Sequence, residues 1–236
     1  MSVLFPKWMN AFPTVSAGIA AGGLMSAVVG TWYWATPDFW EVGYMPTQPG
    51  GGFNHQLHSG KLGMDCRYCH TNVEDSYHSN VPTVATCMGC HTEGKLAPEY
   101  DPGVELVGFI RDAYAEDESI PWRKVHHLPG YVGHFPHHMH VAAGVSCYSC
   151  HGQIVGMPVV HQVESLSMGW CLDCHRAPEE HIVGPSRVTD LVWVEQHLAE
   201  RERGADNATP EAQAIIDALH AGKAEGGPQN CGACHH

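Results

Sequence analysis

All ten cysteines of the chain fall into five pairs, and each pair is C-x-x-C followed directly by histidine. The five are Cys66-Arg67-Tyr68-Cys69-His70, Cys87-Met88-Gly89-Cys90-His91, Cys147-Tyr148-Ser149-Cys150-His151, Cys171-Leu172-Asp173-Cys174-His175 and Cys231-Gly232-Ala233-Cys234-His235. No cysteine remains for a disulfide framework or a spare thiol. A structural zinc knuckle or a redox dithiol would use C-x-x-C, but neither needs histidine in the next position. Histidine fills 19 of 236 positions, so five such neighbours would arise by chance roughly a few times in a million. The pattern is that of covalent haem c attachment: two thiols form thioethers to the haem vinyl groups, and the adjacent imidazole becomes the proximal axial ligand. Five covalently bound haem c groups are therefore expected, with His70, His91, His151, His175 and His235 proximal. Because thioethers consume both thiols of a motif, no iron is expected to carry a cysteine ligand.

The distal ligands must come from the other fourteen histidines, and an internal repeat selects among them. Phe53-Asn54-His55-Gln56-Leu57-His58 precedes the Cys66 and Cys87 motifs. Phe135-Pro136-His137-His138-Met139-His140 precedes the Cys147 and Cys171 motifs, offset by 81 to 84 residues. The unit is F-x-H-x-x-H followed by two attachment motifs, and the fifth motif is appended at the C-terminus. Two histidines three apart on a helical turn sit close together but aim differently. One segment can thus serve two neighbouring haems. His55, His58, His137 and His140 are the distal candidates, and His126 the fifth, with His127 and His161 as rivals. Met157 and Met168 are further alternatives, since His/Met ligation raises the potential.

These sites need little regular structure. The expected fold is that of a multihaem cytochrome c, mostly irregular, with short α-helices around covalent haems, one N-terminal transmembrane helix and little or no β. About 40 residues per haem is too few for an ordinary interior, so the porphyrins must supply the apolar core. Twenty-six glycines and 16 prolines punctuate the chain. Apolar spacing predicts a helix over 104–116, and mixed charge predicts an exposed helix over 188–203. A short helix is expected over 210–221, with Thr209 as N-cap, Pro210 at its first position and Gly222 after it.

Residues 14–36 hold no charge and are long enough to span a bilayer as a helix. A secretory signal peptide is the alternative, but the run is long, its basic flank is only Lys7, and no convincing small-x-small cleavage site precedes the aromatic cluster. Trp32, Tyr33, Trp34, Phe39 and Trp40 would form one interfacial belt, and Phe5, Trp8 and Phe12 the other. Lys7 on one side and Asp38 and Glu41 on the other suit an N-inside orientation. Gly18, Gly22, Ser26 and Gly30 form a small-residue stripe suited to close helix packing. The expected division is an anchor over 1–36 and a linker over 37–52. A pentahaem domain follows over 53–236, with the duplication at 53–100 and 135–180 and the fifth haem within 185–236. The net charge of −13 argues against nucleic acid as a partner and would favour basic electron-transfer proteins.

The ordered run of FNHQLH, LGMDCRYCHTNVEDS, PTVATCMGCH, VHHLPGYVGHFPHHMHV, GVSCYSCHG and SMGWCLDCHRAPE resembles the pentahaem cytochrome c subunit of bacterial alternative complex III. The likeness covers most of residues 53–180, and it supports His126 as a ligand. The resemblance implies a location on the bacterial cytoplasmic membrane with the haem domain on its outer side. It implies a non-catalytic subunit of a quinol:electron-acceptor oxidoreductase in a respiratory or photosynthetic chain. Implied partners are an iron–sulfur subunit, multi-span quinol-binding subunits, a monohaem cytochrome and a soluble electron acceptor. The competing expectations are a stand-alone membrane-anchored quinol dehydrogenase and, from a different class, a multihaem reductase with one open iron position.

Overall fold

The computed structural model describes residues 6–35, 42–97, 104–128, 132, 135–222 and 226–235. It divides into two compact units, residues 1–40 and 41–236. In the first, a 3-10 turn at Lys7–Asn10 leads into helix α1, Phe12–Ala35. The stretch Phe12–Tyr33 is long and apolar enough to cross a membrane, and none of it is buried within the protein. A helix that is apolar all round and covered by nothing of its own chain has lipid as its natural solvent. Gly22, Ser26 and Gly30 floor a shallow groove walled by Met25, Val29 and Tyr33. Of the residues expected at the membrane interfaces, Phe5, Asp38, Phe39, Trp40 and Glu41 lie outside the described residues, as does the side chain of Trp34.

The second unit is helical and irregular. Its helices are α2 (Cys66–Cys69), α3 (Val84–His91), α4 (Val104–Ala115), α5 (His137–Ala142), α6 (Cys147–His151), α7 (Met168–Arg176), α8 (Leu191–Glu202), α9 (Pro210–Ala221) and α10 (Cys231–Cys234). Among the described residues there is no β-strand, and extended pairing is confined to two isolated bridges, Val42 with Gln162 and Val145 with Ile182. Every attachment motif forms a short helix, as expected. Helix α9 starts as its sequence predicts: the Thr209 hydroxyl accepts from the Ala212 amide at 3.1 Å, and Pro210 occupies the first turn.

One expectation is corrected. The helix predicted over 188–203 is not merely an exposed, charge-bearing segment. Leu191, Val194 and Leu198 are buried at i, i+3 and i+7, with His197 beside them. Short apolar stripes between charged residues are easy to read as surface when the surface they cover is not yet known.

Among the described residues, buried apolar side chains gather in three small clusters. Helices α3 and α4 enclose Val107 and Ile110 with Ile120, while Ile182 packs on Ala212 and Ile216, and Val183 on Val194 and Leu198. The second and third clusters meet where the chain crosses itself at Gly144 and Gly184. The Val183 amide donates to the Gly144 carbonyl at 2.9 Å, and a Cβ on Gly144 would lie 2.9 Å from the Gly184 backbone. Both glycines have positive φ, so the crossing needs glycine for space and for conformation. Gln162, fully buried, is the polar counterpart of these clusters. Its side-chain oxygen accepts from the His127 amide at 3.1 Å and its nitrogen donates to the Glu164 carbonyl at 2.8 Å.

Candidate functional site

Each motif helix is short, and three carry side-chain N-caps that fix where the first cysteine falls. Asp65 accepts from the Arg67 amide (2.8 Å), Ser146 from Tyr148 (3.1 Å) and Ser167 from Trp170 (3.3 Å). One helical turn then brings the two thiols to one side, with histidine at the turn's exit. Burial raises the thiols of Cys69, Cys87, Cys171 and Cys174, and pushes Cys150 up to about 12. Such thiols are poor nucleophiles, unlike the depressed thiol of a redox dithiol. Among the described residues no three Cys, His or acidic side chains converge on one point. A haem iron asks for only two protein ligands.

The histidines show how those ligands would be presented. His70 Nδ1 donates to the Asn80 carbonyl (2.7 Å) and His175 Nδ1 to Pro228 (2.6 Å). In the two-histidine segments His58 donates to Asn54 (2.9 Å), His137 to Tyr77 (2.6 Å) and His140 to Pro136 (3.0 Å). An imidazole whose Nδ1 proton is engaged by a carbonyl has its tautomer and ring plane set and its Nε2 lone pair turned outward. This is the usual second contact of a metal-ligating histidine.

The phenylalanine of F-x-H-x-x-H orients both rings of each segment. Phe53 stacks on His58 at 4.3 Å and meets His55 edge-on at 4.7 Å. Phe135 stacks on His140 at 4.4 Å and meets His137 edge-on at 5.0 Å. The backbone differs between the copies, a π-helical turn at Gln56–Lys61 against the regular α5, yet the ring geometry is the same. Sequence reasoning missed this role, although the phenylalanine recurs at the same offset in both copies.

Two facing imidazole pairs follow. The ring centroids of His58 and His91 are 6.1 Å apart, and so are those of His140 and His175. With a metal–nitrogen distance of ~2.0–2.1 Å and a centroid ~1.1 Å behind each nitrogen, an iron between two imidazoles spaces their centroids at ~6.2 Å. The residues therefore fit a six-coordinate haem at both places. The two pairs occupy equivalent positions in the duplication: the second histidine of each segment faces the second motif of its own repeat.

The other candidates gather around the first motifs. Burial, then His70 and His58, lowers His55 to about 4; burial, then His127, lowers His126 to about 4. His137 and His140 are lowered mainly by burial, and His151 far more so, by burial and then by the neighbouring histidines His126, His137, His70 and His55. Burial keeps these rings neutral, the form that binds a metal. His126 Nε2 sits 3.1 Å from His151 Nδ1 with the ring centroids 4.2 Å apart. That is a direct contact, shorter than the spacing of the two facing pairs, so His126 stands against the edge of His151 rather than across an iron from it. His161 keeps a buried Nδ1 without a partner, and His127 Nε2 meets the Lys124 carbonyl at 3.1 Å. Met157 is buried and Met168 exposed.

Five short C-x-x-C-H helices and imidazoles oriented by backbone carbonyls are the features of a multihaem cytochrome c. No protein-family profile matches the chain. The chain is 30% identical over 199 residues to the menaquinone reductase multihaem cytochrome c subunit of Nitratidesulfovibrio vulgaris, covering 79% of this chain and 83% of that protein. It belongs to that family of multihaem cytochrome c subunits.

Proposed function

We propose that the chain is an electron-conducting subunit with five covalent haems, tethered beside the quinone-reactive part of a membrane complex. The observation that carries this reading is the repeated 6.1 Å pairing of His58 with His91 and of His140 with His175. Imidazoles on both sides of an iron leave no position for substrate at those two haems, as a conduit requires. Haem iron so ligated supplies reversible one-electron transfer. The chain's contribution is to hold the imidazoles neutral and oriented and to fix each porphyrin through two thioethers. Cys66, Cys69, Cys87, Cys90, Cys147, Cys150, Cys171, Cys174, Cys231 and Cys234 are the attachment residues. His70, His91, His151, His175 and His235 are proximal, and His55, His58, His126, His137 and His140 remain the distal set.

The resemblance to alternative complex III supports electrons arriving from quinol through an iron–sulfur subunit and leaving to a cytochrome or copper protein outside the membrane. Helix α1 supports attachment to the bacterial cytoplasmic membrane, with Lys7 inside and the haems outside. A second reading reverses the current: the similar protein from Nitratidesulfovibrio vulgaris is a menaquinone reductase subunit, so electrons would run toward the quinone pool. Mild detergent extraction tests the assembly, and co-purification with iron–sulfur and multi-span subunits is expected. Recovery of the chain alone with quinol-reducible haems would instead make it a stand-alone quinol dehydrogenase. Within the intact assembly, haem reduction by quinol supports the first direction. Reduction only by an external donor, followed by quinone reduction, supports the second. A high-spin ferric haem that binds nitrite would overturn the conduit.

A further inference from the structure

The five motifs do not lie in space as they lie in sequence. The first and third are stapled together by two consecutive residues. Thr189 Oγ1 donates to the Asp65 carboxylate at 2.9 Å, while the Val188 carbonyl accepts from Ser146 Oγ at 2.7 Å and from the Cys147 amide at 3.1 Å. Asp65 and Ser146 are the N-caps of α2 and α6, so these helices meet cap to cap, and Cys66 and Cys147 are neighbours there. Those two cysteines are equivalent in the duplication.

The repeats also embrace each other reciprocally. The Gln56 amide, in the first two-histidine segment, donates to the Met157 carbonyl just past the third motif (3.1 Å). The His138 amide, at the equivalent place in the second segment, donates to the Ser76 carbonyl just past the first motif (3.2 Å), and His137 Nδ1 bonds the adjacent Tyr77. Each segment therefore docks on the other repeat's first motif while its second histidine faces its own repeat's second motif. This is an approximate two-fold arrangement with the first and third motifs at its centre.

The flanks follow from the remaining neighbours. Cys69 lies within electrostatic reach of Cys87, and Cys150 within reach of Cys174 and Cys171. Beyond the fourth motif lies the fifth: the His175 carbonyl accepts from the Gly227 amide at 2.6 Å, His175 Nδ1 donates to Pro228 at 2.6 Å, and Cys171 lies near Cys234. Solvent exposure agrees independently. Of the ten motif cysteines, Cys90 and Cys231 are the exposed ones.

We propose that the haem of Cys87 and the haem of Cys231 are the two ends of the conduit, with the Cys66 and Cys147 haems paired at its centre and the Cys171 haem between that pair and the Cys231 end. Electrons then enter and leave where Cys90 and Cys231 reach the surface, and each partner protein docks at one of these two places. The inference deepens the conduit reading and rests on it. It is tested on the full chain as isolated, first counting covalent haem adducts by intact mass and then locating the irons in an experimental structure. The expected result is five adducts, the longest iron–iron separation between the irons bound by His91 and His235, and the irons of His70 and His151 as mutual neighbours inside. Five adducts with the His70 or His151 iron at an end would overturn the order and leave the conduit reading standing. A chain free of adducts would overturn both.

Discussion

Replacing His140 by alanine separates an axial ligand from a merely structural histidine. His140 Nδ1 bonds the Pro136 carbonyl at 3.0 Å, and its ring stacks on Phe135 at 4.4 Å. Losing the hydrogen bond costs about 1 kcal/mol and losing the ring pair about 0.5–1.5 kcal/mol. A total near 2 kcal/mol lowers Tm by about 4–8 °C for a domain of this size. A structural role predicts only that shift. An axial role predicts also that one haem, the one carrying His175, loses its sixth ligand and becomes high-spin, while the others keep low-spin spectra. Electron paramagnetic resonance of the oxidised protein reads the difference. His138→Ala is the control on the same helix: its ring meets Tyr77 at 5.2 Å and belongs to neither 6.1 Å pair, so its spectrum should stay low-spin. An unchanged spin state in His140→Ala, or a high-spin haem in His138→Ala, would refute the pairing.

Three further outcomes are expected. Gly226 has φ +99°, and a Cβ there would run into the His175 carbonyl oxygen. Gly226→Ala should therefore displace the Pro228 acceptor, make His175 a less basic ligand and raise the midpoint potential of its haem alone in a spectroelectrochemical titration. The Asp65 carboxylate is held at about 2, below its ordinary 3.8, chiefly by its hydrogen bonds with Arg67 and also by Thr189; Arg67 in turn contacts Glu74 at 3.1 Å. A depressed carboxylate contributes stability that is present above about pH 4 and lost as pH falls through 2. Between those values the wild-type Tm should fall more steeply than that of Asp65→Asn, and parallel curves would contradict it. Deleting residues 1–36 should move the protein from the membrane to the soluble fraction with its haem absorption unchanged, as a fractionation with matched spectra would show.

The sequence disclosed the attachment chemistry because covalent haem binding demands residue types at fixed local spacing. It disclosed a helix long and apolar enough to cross a membrane, because length and apolarity are local properties of the chain. It also disclosed the two-histidine segments, because duplication shows the same device twice. The pairing of His58 with His91 and of His140 with His175 was hidden, since the partners are 33 and 35 residues apart and nothing local to either encodes the other. The carbonyl acceptors Asn80, Tyr77 and Pro228 were equally illegible, because any residue can offer a carbonyl and only the folded chain decides which one does. Helix α8 was read as surface because the cluster it completes, with Val183, is assembled from a segment outside it. His126 was selected for its place before the second repeat, and its contact with the edge of His151 depends on a turn no pattern announces.

The Val188–Thr189 staple bears on how such a protein is made. The two residues that join α2 to α6 come after four of the five motifs, 124 residues beyond Asp65 in the case of Thr189. As the chain emerges from its N-terminus, the contacts of Gln56 with Met157 and of His137 and His138 with Tyr77 and Ser76 precede that point, whereas the cap-to-cap staple needs residues beyond it. Four pairs of thiols thus come before the residues that make the staple. The staple closes late, and a chain truncated before residue 188 would keep the reciprocal contacts of the two segments but lack the junction between α2 and α6.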